Sequence, residues 1–250
     1  MNLIFDLDGT LVFQGKPVSP SISDALHDLR LDGHTIGFAS ARPHRDMLPV
    51  LDERFHDALL IGANGAMTCE GGVPVRLNCL PPETYDSLRD LAARYRAAYL
   101  VDLVWDYHVS GDTSHPFFSL IDPGCLGRHV EHHEVENPVK FLVAHCDDPA
   151  GFRREVQSLS VAVHQHSDMQ LFDMTCHGVD KMSALADYGV GAGQFVCFGN
   201  DFNDMPMFRH AAHSVQIGEH PGLAELASER LPSGPGFDTR LIETLRRLAT

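Results

Sequence analysis

Short apolar runs at 3–5, 35–39, 58–61, 195–198 and 215–217 alternate with stretches whose apolar residues recur at helical spacing, and this alternation constrains the fold more than any other feature of the chain. Ser19-Pro20 opens the first such helix, Ile22, Ala25, Leu26 and Leu29 line its apolar side, and Gly33 closes it. A second helix is expected over 44–54. Strands that are apolar throughout are buried on both faces, which is the sequence form of a parallel sheet with helices on each side. The pattern changes from about residue 66. Pieces of β character at 66–69 and 73–77 flank a Glu70-Gly71-Gly72 turn, and Pro81-Pro82 opens a helix carrying Leu88, Leu91 and Tyr95. The stretches 139–145 and 161–166 read as strands of an antiparallel layer. Alternation returns at Gly178, with a helix through Lys181, Leu185 and Tyr188, and ends in a helix built on Leu241, Leu245 and Leu248. The chain is therefore expected to be α/β: a discontinuous parallel-sheet core of residues 1–79 and 175–250 with helices on both faces, carrying an inserted α+β domain of residues 80–174.

Charge narrows the partners. Asp and Glu outnumber Lys and Arg by 34 to 19, a formal charge of −15 over 250 residues. Nucleic acid and anionic membrane surfaces call for a Lys/Arg stripe, and neither segment has one. No apolar run reaches the roughly 18–20 residues of a spanning helix. The N-terminal MNLIFDLDGT has no basic flank and carries two aspartates in its apolar stretch, unlike a secretory signal. A cytoplasmic protein is expected, binding neither nucleic acid nor membrane. The six cysteines, Cys69, Cys79, Cys125, Cys146, Cys176 and Cys197, show no C-x-x-C spacing and are expected to be reduced and buried.

The strongest chemical signal is Asp6-Leu7-Asp8-Gly9-Thr10, directly after the first strand. Two carboxylates at a strand's carboxyl end project into the crevice where open α/β sheets bind ligands, and Gly9 gives the backbone freedom to leave the sheet. Three further elements join it. Ser40 ends the second strand, within Phe38-Ala39-Ser40-Ala41-Arg42-Pro43. Lys181 opens a helix in Gly178-Val179-Asp180-Lys181, and Gly199-Asn200-Asp201-Phe202-Asn203-Asp204 follows the strand at 195–198. Singly, each has an ordinary reading: Ser40 or Asp180 as a helix cap, Lys181 as a solvated cation, Asp201 and Asp204 as a turn. Together they deliver carboxylates, a hydroxyl and an ammonium to one sheet edge, a set suited to phosphoryl transfer. Clustered carboxylates need a hard cation such as Mg²⁺. A lysine and a hydroxyl can hold phosphoryl oxygens where charge spreads in the transition state. One carboxylate can attack phosphorus while the other moves a proton.

In this order the four elements resemble the haloacid dehalogenase superfamily of phosphatases, and the insert after the third strand resembles its Cof-type branch with a C2-type (C2B) cap. The resemblance covers the core: Asp6-Leu7-Asp8-Gly9-Thr10, Ser40-Ala41-Arg42 in place of that branch's Thr-Gly-Arg, Ala63-Asn64-Gly65-Ala66, Gly178-Val179-Asp180-Lys181, and the acidic loop from Gly199 through Met207. It implies a Rossmann-like catalytic core under an inserted cap. It implies Asp6 as the nucleophile that forms an aspartyl-phosphate, and Asp8 as the group that protonates the leaving oxygen and then activates water. Ser40 and Lys181 would bind the transferring phosphoryl group, with Arg42 and Asn64 as further phosphate- or substrate-binding candidates. Mg²⁺ would be held by Asp6, the Asp8 backbone carbonyl and the cluster of Asn200, Asp201 and Asp204. One departure touches the metal: Asn200 stands where the motif presents its first Asp, so Asp201 or Asp204 is expected to carry more of the charge.

The expected function is Mg²⁺-dependent hydrolysis of small phosphorylated metabolites, with sugar phosphates favoured by analogy to the family. Two rivals stand beside it. One is a phosphomutase or phosphotransferase of the same superfamily, passing the phosphoryl group to a sugar hydroxyl. The other is a phospho-accepting signalling module, which needs neither the insert nor a second carboxylate at Asp8. Of the 16 histidines, His129, His132 and His133 form an H-x-x-H-H group, read as a solvated segment in preference to a zinc site. His164 and His166 alternate on one strand face, and Trp105, Tyr107 and His108 suit packing at least as well as a substrate wall.

Overall fold

The structure is a computed structural model that describes residues 1–165 and 171–249. The chain runs β1 (Asn2–Phe5), α1 (Pro20–Leu31), β2 (Thr35–Ala39), α2 (His44–Met47), β3 (Leu59–Gly62), then the hairpin β4 (Met67–Glu70) and β5 (Val73–Leu77). The insert follows: α3 (Pro82–Arg94), β6 (Ala98–Asp102), β7 (Tyr107–Ser110), β8 (Lys140–His145), α4 (Pro149–Val156), β9 (Val161–Gln165) and β10 (Phe172–Cys176). The second part of the core is α5 (Lys181–Asp187), β11 (Phe195–Gly199), α6 (Met205–His210), β12 (His213–Ile217), α7 (Pro221–Ala224), β13 (Glu229–Leu231) and α8 (Phe237–Ala249).

The core sheet has the order β13-β12-β11-β1-β2-β3-β4-β5. It is parallel from β13 to β3, and the β4–β5 hairpin continues it antiparallel. Apolar residues on both strand faces explain the layering. Leu3, Phe5, Phe38 and Phe198 join α1 and α8 through Ile22, Leu26, Leu241 and Leu245 on one side. Ile4, Ala39, Ile61 and Cys197 join α5, α6 and α7 through Leu185, Met207 and Leu223 on the other. From β1 the chain moves one way to β2 and β3, and later returns on the opposite side as β11, so the strand order reverses at β1. That reversal opens a crevice beyond the carboxyl ends of β1, β2 and β11.

Two expectations on local structure are corrected. The helix expected over 44–54 is α2 followed by single 3₁₀ turns at Leu48–Val50 and Glu53–Phe55, because Pro49 has no N–H to continue the ladder. Of the six cysteines, all free, only Cys69, Cys146 and Cys197 are buried; Cys79 and Cys176 are half-buried and Cys125 is exposed on a loop.

The insert forms an antiparallel sheet of order β7-β6-β8-β10-β9. Its pairing extends through Cys176, two residues past the expected boundary. One face, with Val101, Phe141, Val143, Phe172 and Met174, packs against Leu88 and Leu91 of α3 and Phe152 of α4. The other face is divided. Leu100, Leu142, Ala144 and Leu171 are covered by Phe117, Phe118 and Ile121. Asp102, Lys140 and Asp173 instead turn to the core, where they meet Arg45, Ala41 and Asn64. His129, His132 and His133 are exposed around a 3₁₀ turn, Trp105 donates to the Leu126 carbonyl, and Tyr107 lies under Arg45. His166 lies outside the described residues. Among the described residues no helix is long and apolar enough to cross a membrane.

Candidate active site

Asp6 is the first residue beyond β1, and its N–H still donates to the Phe198 carbonyl at 2.9 Å, which fixes it in register with β11. Lys181, the first residue of α5, is wholly buried and donates to Asp6 Oδ1 and Asp204 Oδ1, both at 2.7 Å. Asp204 Oδ2 accepts the backbone N–H groups of Asn200 (2.8 Å) and Asp201 (3.1 Å). One ammonium thus faces two buried carboxylates. Burial pushes the Asp6 carboxyl up to about 7, with the Asp204 and Asp8 carboxylates adding to the rise and Lys181 opposing it. Burial alone would make Lys181 a weaker base, but Asp204 and Asp6 outweigh it and hold the ammonium charged.

Asp8 stands at the mouth of the crevice with half of its side chain exposed. Arg42 grips it with a fork, Nε to Oδ2 and Nη2 to Oδ1, each 2.7 Å. The guanidinium also donates to the Asp46 carbonyl at 3.2 Å. Ser40 is buried at the end of β2, and its hydroxyl accepts the Arg42 N–H at 3.1 Å. The loop after β1 turns at Gly9 (φ +83°), where a Cβ would lie 2.8 Å from Asn200 Cγ. Only glycine leaves room for the Asn200 side chain there.

The acidic loop is arranged differently from expectation. Asn200 faces the catalytic edge: its amide oxygen accepts from Thr10 Oγ1 at 3.1 Å, and the end of the amide lies 2.9 Å from the Asp8 backbone carbonyl and 3.0 Å from Asp6 Oδ2. Asp201 does not. Its Oδ1 accepts the Phe202 N–H at 2.7 Å and lies 3.6 Å from His220 Nε2, away from Asp6 and Asp8. Asn64 is also placed elsewhere. Fully buried at φ +54°, it donates to Asp173 Oδ2 of the insert (2.8 Å) and accepts from Asn203 Nδ2 (3.0 Å), so both ends of its amide tie segments together.

Among the described residues no three His, Cys, Asp or Glu side chains converge as a metal site. The oxygens gathered at the edge are instead of three kinds: the Asn200 amide, with the Asp8 backbone carbonyl 2.9 Å and the Asp6 carboxylate 3.0 Å from it. That set of hard oxygen donors fits Mg²⁺, which binds through one or two carboxylates and keeps several waters. Asp204, with both oxygens engaged by Lys181 and backbone N–H groups, supports the set from behind.

A second charged group was missed by sequence reasoning. Arg45 of α2 is wholly buried; it donates to Asp46 Oδ1 (2.7 Å), the Trp105 carbonyl (2.7 Å) and Asp102 Oδ1 (3.3 Å), with Asp122 at 3.6 Å. Lys140 donates to the Ala41 carbonyl at 2.8 Å and lies 3.0 Å from Asp102. Burial alone would lower its basicity, but Asp173 and Asp102 outweigh that. The insert is thereby pinned to the loop that carries Ser40 and Arg42. The sequence held one sign of this: Lys140 is followed by the apolar run Phe141-Leu142-Val143-Ala144.

An open α/β sheet that gathers its carboxylates and a buried lysine where the strand order reverses has the build of a ligand-transforming α/β enzyme. Residues 3–229 match the sequence profile of the haloacid dehalogenase-like hydrolases, and the chain belongs to that family. It is similar to 5-amino-6-(5-phospho-D-ribitylamino)uracil phosphatase YitU of Bacillus subtilis (strain 168), with 21% identity over 232 residues covering 86% of each chain. An 80-residue stretch is 35% identical to the HMP-PP phosphatase of Yersinia pestis (strain Pestoides F), covering 32% of this chain and 29% of that protein. In fold it resembles the subclass IIB sugar phosphatase BT4131, with a TM-score of 0.77 at 18% identity over 99% of this chain and 98% of that one. These relatives are phosphatases, and this chain is an enzyme of that kind. The expected α/β core with an inserted, sheet-rich cap is the fold of that family.

Proposed function

We propose that the protein is a Mg²⁺-dependent phosphatase of small phosphorylated metabolites, sugar phosphates among them, acting through an aspartyl-phosphate on Asp6. The observation that carries this reading is the placement of Asp6 and Asp8. Asp6 is fixed by the sheet and by Lys181 at the base of the crevice, while Asp8 stands two residues on at its mouth. A bound divalent cation would neutralise the Asp6 carboxylate and the phosphoryl oxygens so that the two anions can meet.

Asp6 attacks phosphorus through a carboxylate oxygen, and the ester oxygen leaves with a proton from Asp8. Lys181 and the Ser40 hydroxyl hold the equatorial oxygens in this step. Asp8, now a carboxylate, takes a proton from the water that attacks the aspartyl-phosphate, which returns Asp6 and releases phosphate. Arg42 matters to both halves. In the resting site it grips Asp8 with two hydrogen bonds; an incoming phosphate offers the guanidinium a competing anion and releases Asp8 to face the leaving oxygen. The cap supplies the ceiling, and its fixed Lys140 contact keeps the Ser40 loop in place. A cleft of about 320 Å³ lies between β9 and the acidic loop, lined by His164, Asp180, Phe202 and Asn203.

The test is hydrolysis of p-nitrophenyl phosphate by the purified chain. Activity is expected with Mg²⁺, is lost in EDTA, and is abolished by Asp6→Asn with the fold retained. Turnover by Asp6→Asn would sink the nucleophile assignment, and turnover unaffected by chelation would defeat the metal dependence.

A further inference from the structure

We propose that Cys79 and Cys176 are a redox-active thiol pair at the neck between core and cap, and that their disulfide clamps together the two chain segments on which the cap is hung. The proposal does not depend on the reaction assigned to Asp6.

The insert joins the core through two segments, and each carries one of these cysteines where it crosses. On the first, the Asn78 N–H donates to the Ala66 carbonyl of the core (2.8 Å) and the Leu80 N–H to the Pro138 carbonyl of the cap (2.7 Å), so Cys79 is the residue of passage. On the second, Cys176 still pairs with Val161 of β9, while its carbonyl accepts the Val179 N–H at 3.1 Å on the way to α5. Both side chains pack against the same small apolar group, built from Ala63, Ala66 and Met67 of the core, Val139 of the cap and Val179 of the second segment. The antiparallel register of β8 and β10, which sets Met174 beside Phe141, runs on to bring Cys176 opposite Val139, the neighbour of the Pro138 that holds Leu80. Burial pushes the Cys79 thiol above its ordinary range, and the Cys176 thiol adds to the rise, an influence exerted at short range.

The other cysteines are placed differently. Cys69, Cys146 and Cys197 are buried and Cys125 is exposed on a loop of the cap, whereas Cys79 and Cys176 are free and half-buried, open to a small oxidant yet backed by apolar side chains. With a low-molecular-weight disulfide as oxidant, the thiolate of one cysteine attacks a sulfur of the oxidant and expels one thiolate; the thiolate of the other then attacks the mixed disulfide and expels the second. Two protein thiols become one disulfide, the oxidant is reduced to two thiols, and the two protons lost by the protein pass to the departing thiolates. Because the Cys79 thiol is raised, its thiolate leaves poorly, and an external thiol reopens the bond slowly. The bond closes residues 79–176 into one covalent loop and restricts the unfolded chain. In the folded chain it holds the two linkers at a fixed spacing, which a rotation of the cap on the core would have to change.

The experiment treats the full chain, carrying Cys125→Ser to remove the exposed thiol, with glutathione disulfide, and reads it by non-reducing peptide mapping and thermal melting. Trypsin places Cys79 in a peptide of residues 77–89 and Cys176 in one of residues 155–181, with one cysteine in each. The expected product is a single chain in which these peptides are joined, melting about 5 °C or more above the reduced chain, with the rise reversed by dithiothreitol. Cys79→Ser and Cys176→Ser should each abolish both the joined peptide and the rise, leaving the surviving thiol as a mixed disulfide with glutathione. Recovery of the two peptides separately from the oxidised chain, or joined only between two chains, would overturn the proposal, and so would a joined chain that melts with the reduced one. None of these readouts needs turnover, so failure of the phosphatase reading looks different: no phosphate ester would be hydrolysed while the joined peptide and the rise in melting temperature remained.

Discussion

Raising the pH of the metal-free protein from about 5.5 to about 8.5 is expected to lower its thermal stability through Asp6. Burial raises the Asp6 carboxyl from 3.8 to about 7 in the fold. A group that binds its proton more tightly when folded contributes stability that is fully present below its unfolded pKa and is lost as pH rises through the folded one. From about pH 5.5 to about 7 the loss runs at ~1.4 kcal/mol per pH unit, about 2 kcal/mol in all. For a chain of this length that is a fall in Tm of roughly 4–8 °C. Lys181, held charged by its two carboxylates, does not titrate in this window. The 16 histidines do, so the quantity to measure is the difference between the wild type and Asp6→Asn, whose amide cannot ionise. Melting in EDTA, followed by circular dichroism across the range, should show the wild-type curve falling relative to the variant by that amount. Parallel curves would refute the reasoning, since they would mean that Asp6 is as well solvated in the fold as in the unfolded chain.

Two further outcomes test the supports of the site. Arg45→Met leaves Asp46, Asp102 and Asp122 without their shared cation, and removal of one partner from a buried ionic group costs about 3–5 kcal/mol, a Tm fall of roughly 6–20 °C; a melt within a degree or two of the wild type would mean that the group is not closed in. Arg42→Ala frees Asp8 from its fork and removes a ligand for phosphate, so kcat/KM for phosphate esters should fall about tenfold or more, at least ~1.4 kcal/mol of transition-state stabilisation; steady-state kinetics with unchanged kcat/KM would remove Arg42 from the mechanism.

What could be read in the sequence was local. The strands at 35–39 and 195–198 are apolar on both faces, so their burial in a parallel sheet follows from the residues alone, and with it the delivery of Asp6, Ser40 and the acidic loop to one edge. The helix expected over 44–54 ran too far because its apolar spacing was given more weight than Pro49. Which of Asn200 and Asp201 turns toward Asp6 was not legible, because it depends on Asp204. By accepting both backbone N–H groups, Asp204 sets how the loop turns, and only then does Asn200 face inward and Asp201 outward. Asn64 was drawn to the phosphate because its motif adjoins the crevice, yet its partners, Asp173 and Asn203, come from remote parts of the chain. The Arg45, Asp102 and Lys140 group is of the same kind: no spacing rule links charges from one end of the core to strands of the insert.

The charge of the site explains why an acidic protein can take an anionic substrate, and why an amide at position 200 suits it. Asp6, Asp8 and Asp204 face Lys181 and Arg42, so the metal-free edge carries three carboxylates against two cations. A phosphate dianion approaching that edge would meet net negative charge at close range, in addition to the formal −15 of the chain. A bound Mg²⁺, as proposed, would make the edge net positive. Had position 200 been an aspartate, the loaded edge would be neutral, holding its metal more firmly but attracting phosphate less. On the proposed metal reading, Asn200 would shift the balance from retaining the cation toward binding the substrate. The long-range repulsion is weak by comparison, since charges beyond about 8 Å are largely screened at physiological ionic strength. What a small phosphate ester would meet is decided by the few groups at the end of β1.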